Sequence, residues 1–542
     1  MLSGGPLETF SVWFAMNGES SFPVKTCLSL TWVTAESFLV AAIAWSFAAW
    51  IWWHWREQRK LPGPFAWPLI GCLPELSANW DRLHDWVLEQ FSDDRRTIYV
   101  QFGYPDVAVF TVDPANVEHL LKTNFSNYPK GESNCNLMRE LFGVGIFTTD
   151  GELWKEQRRM ASYEFSSASL RDFSTDVFRE YALKLVFILS RFASTGADFD
   201  LQEMCMRMTL GTTCKIGFGV VLDCLSPSLP KIQFAQCFDD ANFISYHRFV
   251  DPLWHVKRAL NIGRERKLKH CVKVLNTFTY NVIEKRRQEM ASFNTKPAQS
   301  DLLSRLTDLC NRGGEISHYV DTALRDMILN FIVAGRDTTA GTLTWFFYMM
   351  SSHPEIADKI FDELSTVVAV AGKHSEELTE ESVVEFSKLL TYEKLGKLHY
   401  LHAALSETLR LYPAVPLDSK QAAEDDVLPD GTVVKKGSMV GYVPYSMGRM
   451  KCLWGDYAAE FKPERWIQEG EFVPQSLFKF TAFQAGPRTC LGKDSAYLQM
   501  KMTAALVMRF FTIRVVPGHS MQYRTMLTLN MKHGLRAVVS RR

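Results

Sequence analysis

The sequence predicts a mainly α-helical fold with small β-sheets, preceded by one N-terminal helix that crosses a membrane. Three observations support this prediction. Amphipathic patterns with a helical period fill most of the middle of the chain. Short runs of β-forming residues come early, at 97–102 and 107–112. Residues 37–53 are apolar and carry no charge.

The uncharged run at 37–53 predicts a retained membrane anchor. As a helix it would span roughly 26 Å, close to the hydrocarbon thickness of about 27 Å in the endoplasmic reticulum. A cleaved signal peptide or a buried helix is the alternative, but Arg56, Arg59 and Lys60 follow the run where a cleavage site would have small residues. The positive-inside rule then predicts a lumenal segment at 1–36 and a cytosolic remainder.

The segment after the anchor, residues 54–69, is basic and then rich in proline. Pro62, Pro64 and Pro68 fix φ and lack amide hydrogens, which predicts a stiff tether. Beyond the tether we find no Gly/Ser linker, low-complexity tract or internal repeat. Residues 70–542 are therefore predicted to form one large domain, against a length that would ordinarily suggest several.

The composition is that of an ordinary globular protein. Apolar residues make up 47% of the 542 residues, and 60 basic side chains balance 60 acidic ones. A neutral chain of this kind gives no reason to expect a nucleic-acid partner. The eleven cysteines are scattered and form no C-x-x-C pair, which is typical of reduced thiols in the cytosol.

The longest helical pattern is predicted over residues 316–352, with Pro354 ending it. Its centre is nearly all apolar, except for a polar insertion at 335–339. Two histidines on another predicted helix, His399 and His402, lack a third ligand and are predicted to be ordinary helix residues rather than a metal pair.

The stretch FQAGPRTCLG at 483–492 combines several residues with chemical uses. Cys490 offers a thiolate, a soft ligand that pushes electron density onto iron and favours O–O cleavage. The helix predicted over 493–510 adds positive dipole character beside the sulfur. The alternative, a plain buried thiol, does not account for the neighbours. Gly486 and Gly492 allow close approach of the backbone, Arg488 can pair with an anionic group, and Phe483 can shield the sulfur from water.

The pattern F-x-x-G-x-R-x-C-x-G resembles the haem-binding loop of the cytochrome P450 monooxygenases. The resemblance implies the cytochrome P450 fold and a haem b whose iron takes Cys490 as its axial metal ligand. It also implies residues that reach the haem propionates: Arg488, Trp154 and Arg158 of a W-x-x-x-R segment, and Lys420.

Two further segments carry the same resemblance. Glu407 and Arg410 form an E-x-x-R pair, which in this family joins an arginine of a later P-E-R segment, here Arg465, in a buried structural network. Taken alone, a Glu and an Arg with this spacing are more often a solvated pair.

The polar insertion AGRDTT resembles the family's oxygen-activation motif. The resemblance implies that Thr338 holds water or oxygen for proton delivery and that Asp337 relays protons. The alternative for Thr338 is a core hydroxyl bonded back to its own helix. Gly335 is expected to let the helix pass close to the haem.

Four segments are similar to the plant fatty-acid ω-hydroxylase branch, and within it to enzymes that supply hydroxylated long-chain fatty acids for sporopollenin. They lie at 127–131, 150–167, 423–432 and 483–502. The resemblance implies terminal hydroxylation of a long-chain fatty acid. It also implies an apolar channel, with these candidate walls: Phe331, Ile332, Ala334 and residues 414–416.

No nucleotide-binding G-x-G-x-x-G fingerprint occurs in a strand–turn–helix setting, so electrons must come from another protein. The resemblance implies the membrane-bound NADPH-cytochrome P450 reductase. A basic docking face for that partner is expected from these side chains: Lys479, Arg488, Lys493, Arg449 and Lys451.

Three alternatives to fatty-acid hydroxylation stay open from the sequence. The first is a haem-thiolate monooxygenase of another hydrophobic substrate. The second is a haem enzyme that rearranges peroxides without a reductase, against which the acid–threonine pair at 337–338 argues. The third is a membrane-anchored haem sensor or structural protein without turnover.

Overall fold

The computed structural model describes residues 24–58, 61–103, 107–165, 168–292, 303, 317–368 and 379–542. The first 23 residues of the predicted lumenal segment 1–36 lie outside these ranges. The chain divides into two compact units, one of Met1–Leu61 with Trp67–Leu69 and the other of Pro62–Ala66 with Ile70–Arg542.

The N-terminal unit contains the helix Val24–Gln58. Its part Ser37–Glu57 is long and apolar enough to cross a membrane, and none of that stretch is buried. Large side chains such as Phe38 and Trp45 are exposed along it. An exposed apolar helix of this length fits a membrane anchor, and it includes the predicted span 37–53.

The second unit is mainly helical with small sheets, as predicted. Long helices pack side by side, with Lys493–Phe510 against Ala168–Thr195 and Gly263–Ser292 against Gln233–His247. Its α-helices are Leu73–Ala78, Leu83–Glu89, Pro114–Glu118, Glu132–Phe142, Gly151–Phe165, Ala168–Thr195, Leu201–Phe218, Gln233–His247, Trp254–Leu260, Gly263–Ser292, Ser317–Ile332, Thr338–Ser352, Pro354–Val367, Glu380–Leu389, Tyr392–Gly396, His399–Leu411, Pro444–Met447, Lys451–Trp454 and Lys493–Phe510.

The strands form small, mostly antiparallel sheets. The strands are β1 Thr97–Gln101, β2 Val107–Thr111, β3 Phe199–Asp200, β4 Asp418–Gln421, β5 Asp426–Val427, β6 Val433–Val434, β7 Met439–Tyr442, β8 Ile467–Gln468, β9 Glu471–Phe472, β10 Phe511–Val515, β11 Tyr523–Arg524, β12 Asn530–Met531 and β13 Arg536–Arg541. The largest sheet has the order β1-β2-β7-β4, in which β2 and β7 are parallel, and a second has the order β10-β13-β3.

Residues 317–352, here called the central helix, depart from the predicted single α-helix. The segment Val333–Asp337 forms one π-helical turn between the α-helices Ser317–Ile332 and Thr338–Ser352. A π turn inserts a residue into the helical repeat and is frequent at functional sites. It coincides with the polar insertion. Pro354 ends the central helix as predicted, because it starts the next helix at its first position.

Candidate active site

A cavity of about 700 Å³ is lined by both the central helix and the cysteine loop, residues 483–492. Its walls are mostly apolar and rich in aromatic rings, as a site for a hydrophobic molecule requires. They include Phe142, Phe147, Phe178, Phe331, Leu409 and Val415.

The cysteine loop is folded so that the Cys490 thiol faces this cavity. The Cys490 amide donates to the carbonyl oxygen of Phe483 at 2.8 Å. Gly486 has φ +66°, and a Cβ there would overlap the Leu121 carbonyl, so a side chain is excluded. Cys490 is accessible although it lies deep in the protein, because the accessible surface is that of the cavity.

The surroundings of the thiol act on its charge in opposite directions. Burial raises the pKa of the Cys490 thiol, while the Gly492 amide and the Arg158 guanidinium lower it. The helix Lys493–Phe510 begins directly after Gly492, so its positive end adds to the second effect. Phe483 also lines the cavity and contacts Tyr497 with ring centroids 5.2 Å apart.

Arg488, Trp154 and Arg158 come together at the cavity wall. Arg488 Nη2 donates to Asp150 Oδ1 at 2.6 Å, and its Cζ lies 4.3 Å from the Trp154 ring centroid. The Arg488 Nε is buried without a hydrogen-bond partner. Arg158 lines the cavity, and among the residues that the structure describes it has no carboxylate partner.

These residues fit the predicted haem. A buried Nε donor on Arg488 and the unpaired Arg158 are suited to carboxylates such as propionates. Gly492 has an ordinary φ of −88°, and a Cβ there would make only ordinary contacts, 3.9 Å from the Cys490 sulfur and from Phe165, so the backbone does not require glycine at this position. A thiol and two guanidinium groups in an aromatic cavity match a flat, apolar, dianionic ligand.

Lys420 is placed differently from the other predicted propionate partners. It is fully buried, does not line the cavity, and its Nζ lies 3.2 Å from Asp418 Oδ2. Burial lowers the pKa of Lys420, and Asp418 opposes that effect. Instead, Lys130 lines the cavity and donates to Asp418 Oδ1 at 2.7 Å.

Three residues were missed in the sequence: Lys130 and Asp418, which line the cavity, and Asp150, which is absent from the lining but binds Arg488. Asp150 accepts from the backbone amides of Lys130 and Gly131 as well as from Arg488. A signal was present, since Lys130 and Asp150 lie in segments that carry the family resemblance. Their pairing with Arg488 and Asp418 joins distant parts of the chain, which no local pattern reports.

Thr338 lines the cavity directly after the π turn. Its Oγ1 donates to the Ala334 carbonyl at 2.6 Å, which is the arrangement weighed as the alternative. Thr338 therefore lies on the cavity side of the central helix, and its hydroxyl is bonded to the backbone of that helix. Gly335 also lines the cavity, but a Cβ there would meet Thr213 Oγ1, 2.5 Å away, on the helix Leu201–Phe218. Close helix packing thus excludes a side chain at Gly335.

Asp337 is fully buried and does not line the cavity. Its Oδ1 accepts from Arg336 Nη1 at 2.9 Å and its Oδ2 from Asn242 at 3.4 Å. Arg336 reaches on to Asp239 at 2.5 Å, and 42% of the Asp239 side chain is exposed. Burial raises the pKa of Asp337 to about 7, although Arg336 opposes it. The contacts from Asp337 through Arg336 to Asp239 thus connect the central helix with the protein surface.

Glu407, Arg410 and Arg465 form one buried cluster. Glu407 Oε1 accepts from Arg410 Nη2 at 2.7 Å and from Arg465 Nε at 2.9 Å, and its Oε2 accepts from Trp466 Nε1 at 2.9 Å. Arg410 also donates to the carbonyls of Gly448, Ala458 and Glu460. The side chains of Glu407 and Arg410 are completely buried and bonded to each other, so they act as scaffold.

The loop 143–150 forms part of the cavity wall and is tied to the central helix. Asp326 Oδ2 accepts from the Val144 amide at 2.8 Å, and Asn330 Oδ1 accepts from the Phe147 amide at 3.2 Å. Arg488 donates to the Thr149 carbonyl on the other side. The loop that carries Phe147 therefore bridges the central helix and the cysteine loop.

Two of the predicted channel walls need correction. Of the predicted channel walls, Phe331, Ala334, Ala414 and Val415 line the cavity, but Ile332 is fully buried in the core and Pro416 is absent from the lining. His402 stacks on Phe472 with ring centroids 3.9 Å apart, and His399 Nδ1 accepts from the Phe472 amide at 3.2 Å.

The predicted basic docking face is reduced by the structure. Arg449 stacks 3.6 Å from the Tyr445 ring centroid and donates to the Leu411 and Tyr445 carbonyls. Arg488 is turned inward to Asp150. Lys451 remains exposed, while Lys479 is half-buried over Trp454. Arg449 and Arg488 are therefore engaged within the domain and do not form part of a docking surface.

Comparisons with known proteins agree with this geometry. The model of the cytochrome P450 family matches residues 61–535 of the chain. The chain is 49% identical to cytochrome P450 704B1 of Arabidopsis thaliana, covering 93% of this chain and 99% of the relative. It is 46% identical to cytochrome P450 704C1 of Pinus taeda (93% and 97%) and 41% identical to cytochrome P450 86B1 of Arabidopsis thaliana (89% and 86%).

The identification made from the cysteine loop and the four similar segments is confirmed by these matches. Membership of the family implies a haem-thiolate iron, electrons supplied by a reductase and a hydrophobic substrate. The chain, with its Cys490 thiol facing an apolar cavity, belongs to the cytochrome P450 family of monooxygenases.

Proposed function

We propose that the protein hydroxylates long-chain fatty acids at the terminal (ω) carbon, using O2 and NADPH, and that the products feed a lipid polymer such as sporopollenin or a cutin-like material. The observation that carries the proposal is the apolar, aromatic-walled cavity that reaches the Cys490 thiol. Support comes from the four segments similar to the plant fatty-acid ω-hydroxylase branch and from the plant relatives.

The cysteine loop and its neighbours would hold the cofactor. Haem b, bound through Cys490, supplies the oxygen activation that attack on an unactivated C–H bond requires. The Gly492 amide and Arg158 favour the anionic sulfur. The propionates would be held by these side chains: Arg488, Trp154, Arg158 and Lys130, with Lys420 steadying Lys130 through their shared partner Asp418.

The central helix would handle protons and exclude water. The Thr338 hydroxyl lines the cavity and needs only to turn from the Ala334 carbonyl to donate into it. Asp337 would relay protons to this helix, while Arg336 stays charged and holds Asp337 beside Asp239, which reaches the surface. The aromatic walls shield the reacting methyl group from bulk water.

We assign the chain to the endoplasmic reticulum membrane as a single-pass protein. The basic residues after the apolar helix favour a lumenal segment at 1–36, a span at 37–53, a tether at 54–69 and a haem-thiolate domain at 70–542 that faces the cytosol. In that orientation the domain meets the membrane-bound NADPH-cytochrome P450 reductase, which supplies its electrons.

Product analysis tests the function. The holoenzyme is incubated with its reductase, NADPH and saturated fatty acids of rising chain length, and the products are identified by mass spectrometry. We expect terminal alcohols from the wild type and from Cys452→Ala, which removes an exposed thiol elsewhere, and none from Cys490→Ala.

The alternatives give different outcomes. NADPH-dependent oxidation of another hydrophobic compound, with no fatty acid converted, would overturn the substrate while keeping the monooxygenase. Turnover of lipid peroxides without NADPH would indicate the rearranging class. Haem binding without any turnover would indicate a sensor.

A further inference from the structure

Terminal hydroxylation places a strict demand on the geometry of the cavity. If the methyl end of a fatty acid lies at Cys490, its carboxylate must lie at the far end, where burial without a cationic partner would be costly. The basic side chains that line the cavity do not meet this demand. They are Lys130, paired with Asp418; Arg488, paired with Asp150; Arg158, beside Cys490; and Arg171, paired with Asp172.

Two other arginines flank an aromatic part of the cavity wall. Trp80 and Tyr246 line the cavity with ring centroids 6.2 Å apart, and Trp80 lies 5.1 Å from the ring of His247. Arg264 Nη1 donates to His247 Nε2 at 2.7 Å. Burial and Arg264 both lower the pKa of His247, which favours the neutral ring that accepts this hydrogen bond.

Arg524 approaches the same place from strand β11. Its Cζ lies 4.2 Å from the Phe243 ring centroid, and the Cζ of Arg264 lies 5.9 Å from the same centroid. The next residue, Thr525, donates to the Trp80 carbonyl at 2.6 Å, which fixes the chain beside Trp80. Leu527 and Thr528, a few residues on, line the cavity. Both guanidinium groups therefore lie beside Phe243, near the cavity-lining rings of Trp80 and Tyr246, although neither arginine lines the cavity itself.

Neither arginine has a carboxylate partner among the described residues. Acidic residues close by in the chain are engaged elsewhere. Glu265, adjacent to Arg264, accepts from Arg248 at 3.0 and 2.6 Å. Asp81, adjacent to Trp80, binds Lys532 at 3.0 Å. Arg264 is exposed and Arg524 is partly so, which leaves their charges open to a ligand.

We propose that Arg264 and Arg524 bind the carboxylate of a free fatty acid at the rim of the cavity, so that the methyl end points toward Cys490. The inference rests on the proposed function and deepens it. Two planar guanidinium groups suit a carboxylate, since each can donate two parallel hydrogen bonds. An acyl thioester or ester has no anionic oxygen at that end, so this site selects the free acid.

Substrate titration tests the proposal without requiring turnover. The shift in the absorption spectrum of the holoenzyme is followed as a free fatty acid, or its methyl ester of equal chain length, is added. We expect Arg524→Met and Arg264→Met each to raise the Kd of the acid about tenfold, while the Kd of the ester changes less than twofold. Arg524→Lys, which keeps the charge but not the planar guanidinium group with its paired donors, should restore part of the lost affinity for the acid.

The matched control is Lys267→Met, which removes a positive charge from the helix of Arg264 but one already paired with Asp240 at 2.8 Å. It should leave both Kd values unchanged. Equal losses for acid and ester, or no loss for either, would overturn the rim site while terminal hydroxylation by the wild type would still support the proposed function. A wild type that neither binds nor hydroxylates any fatty acid would overturn both.

Discussion

Arg410 and Arg488 both belong to motifs shared with the family, but their hydrogen bonds differ. Arg410 donates from all three guanidinium nitrogens to Glu407 and to three backbone carbonyls, and its side chain is completely buried. Arg488 leaves a buried Nε without a partner at the cavity wall. A satisfied buried charge is scaffold, whereas an unsatisfied one beside a cavity indicates a place for a ligand.

Breaking the scaffold should have the largest effect. Glu407→Gln removes the charge that Arg410 and Arg465 share and leaves both guanidinium groups without a counter-ion. We expect the free energy of unfolding to fall by about 3–5 kcal/mol, the cost of breaking a buried pair. Denaturant unfolding of the holoenzyme measures it.

The control for this variant is Glu464→Gln, on the neighbouring P-E-R segment. Glu464 is half exposed and binds Lys359 and Tyr400, so its loss should cost no more than about 1 kcal/mol. Equal costs for the two variants would show that the Glu407 cluster is not the scaffold.

Removing Arg488, whose Nε has no hydrogen-bond partner, should weaken haem binding more than it lowers the stability of the fold. Arg488→Met deletes charge-assisted hydrogen bonds of about 1.5–3 kcal/mol, so haem should leave the protein at least about ten times faster. Haem transfer to an excess of an acceptor protein measures the rate. Arg82→Met, at an exposed pair with Glu89, should not change it. An unchanged rate in Arg488→Met would place the propionates elsewhere.

The sequence predicted the elements around these two arginines well. The helix Lys493–Phe510 has the bounds expected from its pattern, and the runs at 97–102 and 107–112 are strands β1 and β2. What it missed depends on contacts between distant segments, such as Asp150 with Arg488 and Lys130 with Asp418. Periodicity describes one element at a time, so it cannot report which partner a charged residue meets.

The central helix shows a second limit. Asp337 and Thr338 were assigned to one task, but neighbouring helical residues point about 100° apart, and only Thr338 lines the cavity. The π turn, which ends at Asp337, was not foreseen either, since an inserted residue leaves no mark in a short polar segment.

A substitution at Thr338 tests whether its hydroxyl acts in the cavity. Thr338→Val keeps the shape and removes the hydroxyl, so we expect about tenfold less alcohol formed per NADPH consumed. The control is Thr344→Val, because Thr344 also donates to the carbonyl four residues before it but is fully buried away from the cavity. Equal coupling in both variants would leave Thr338 with a helical role alone.

Asp337 should give the smallest effect, a dependence of stability on pH. Its pKa is raised from 3.8 to about 7 mainly by burial, against Arg336, and Asp239 adds to the increase. The folded protein therefore holds this proton more tightly than the unfolded chain. The resulting stability is complete below the unfolded pKa and is lost as the pH rises through about 7.

Asp337→Asn removes this titration while keeping the shape of the side chain. Between the two pKa values, from 3.8 to about 7, the free energy of unfolding should fall with rising pH in the wild type and stay level in the variant. Parallel pH profiles for the two proteins would mean that the Arg336 pair keeps Asp337 charged throughout.

The central claim, that Cys490 binds the haem iron as a thiolate, is tested most directly by the absorption spectrum of the reduced, carbon monoxide-bound protein. The wild type and Cys452→Ala should both show the red-shifted band of thiolate ligation, and Cys490→His should retain haem but lose that band. A Cys490→His protein with an unchanged thiolate spectrum would contradict the account.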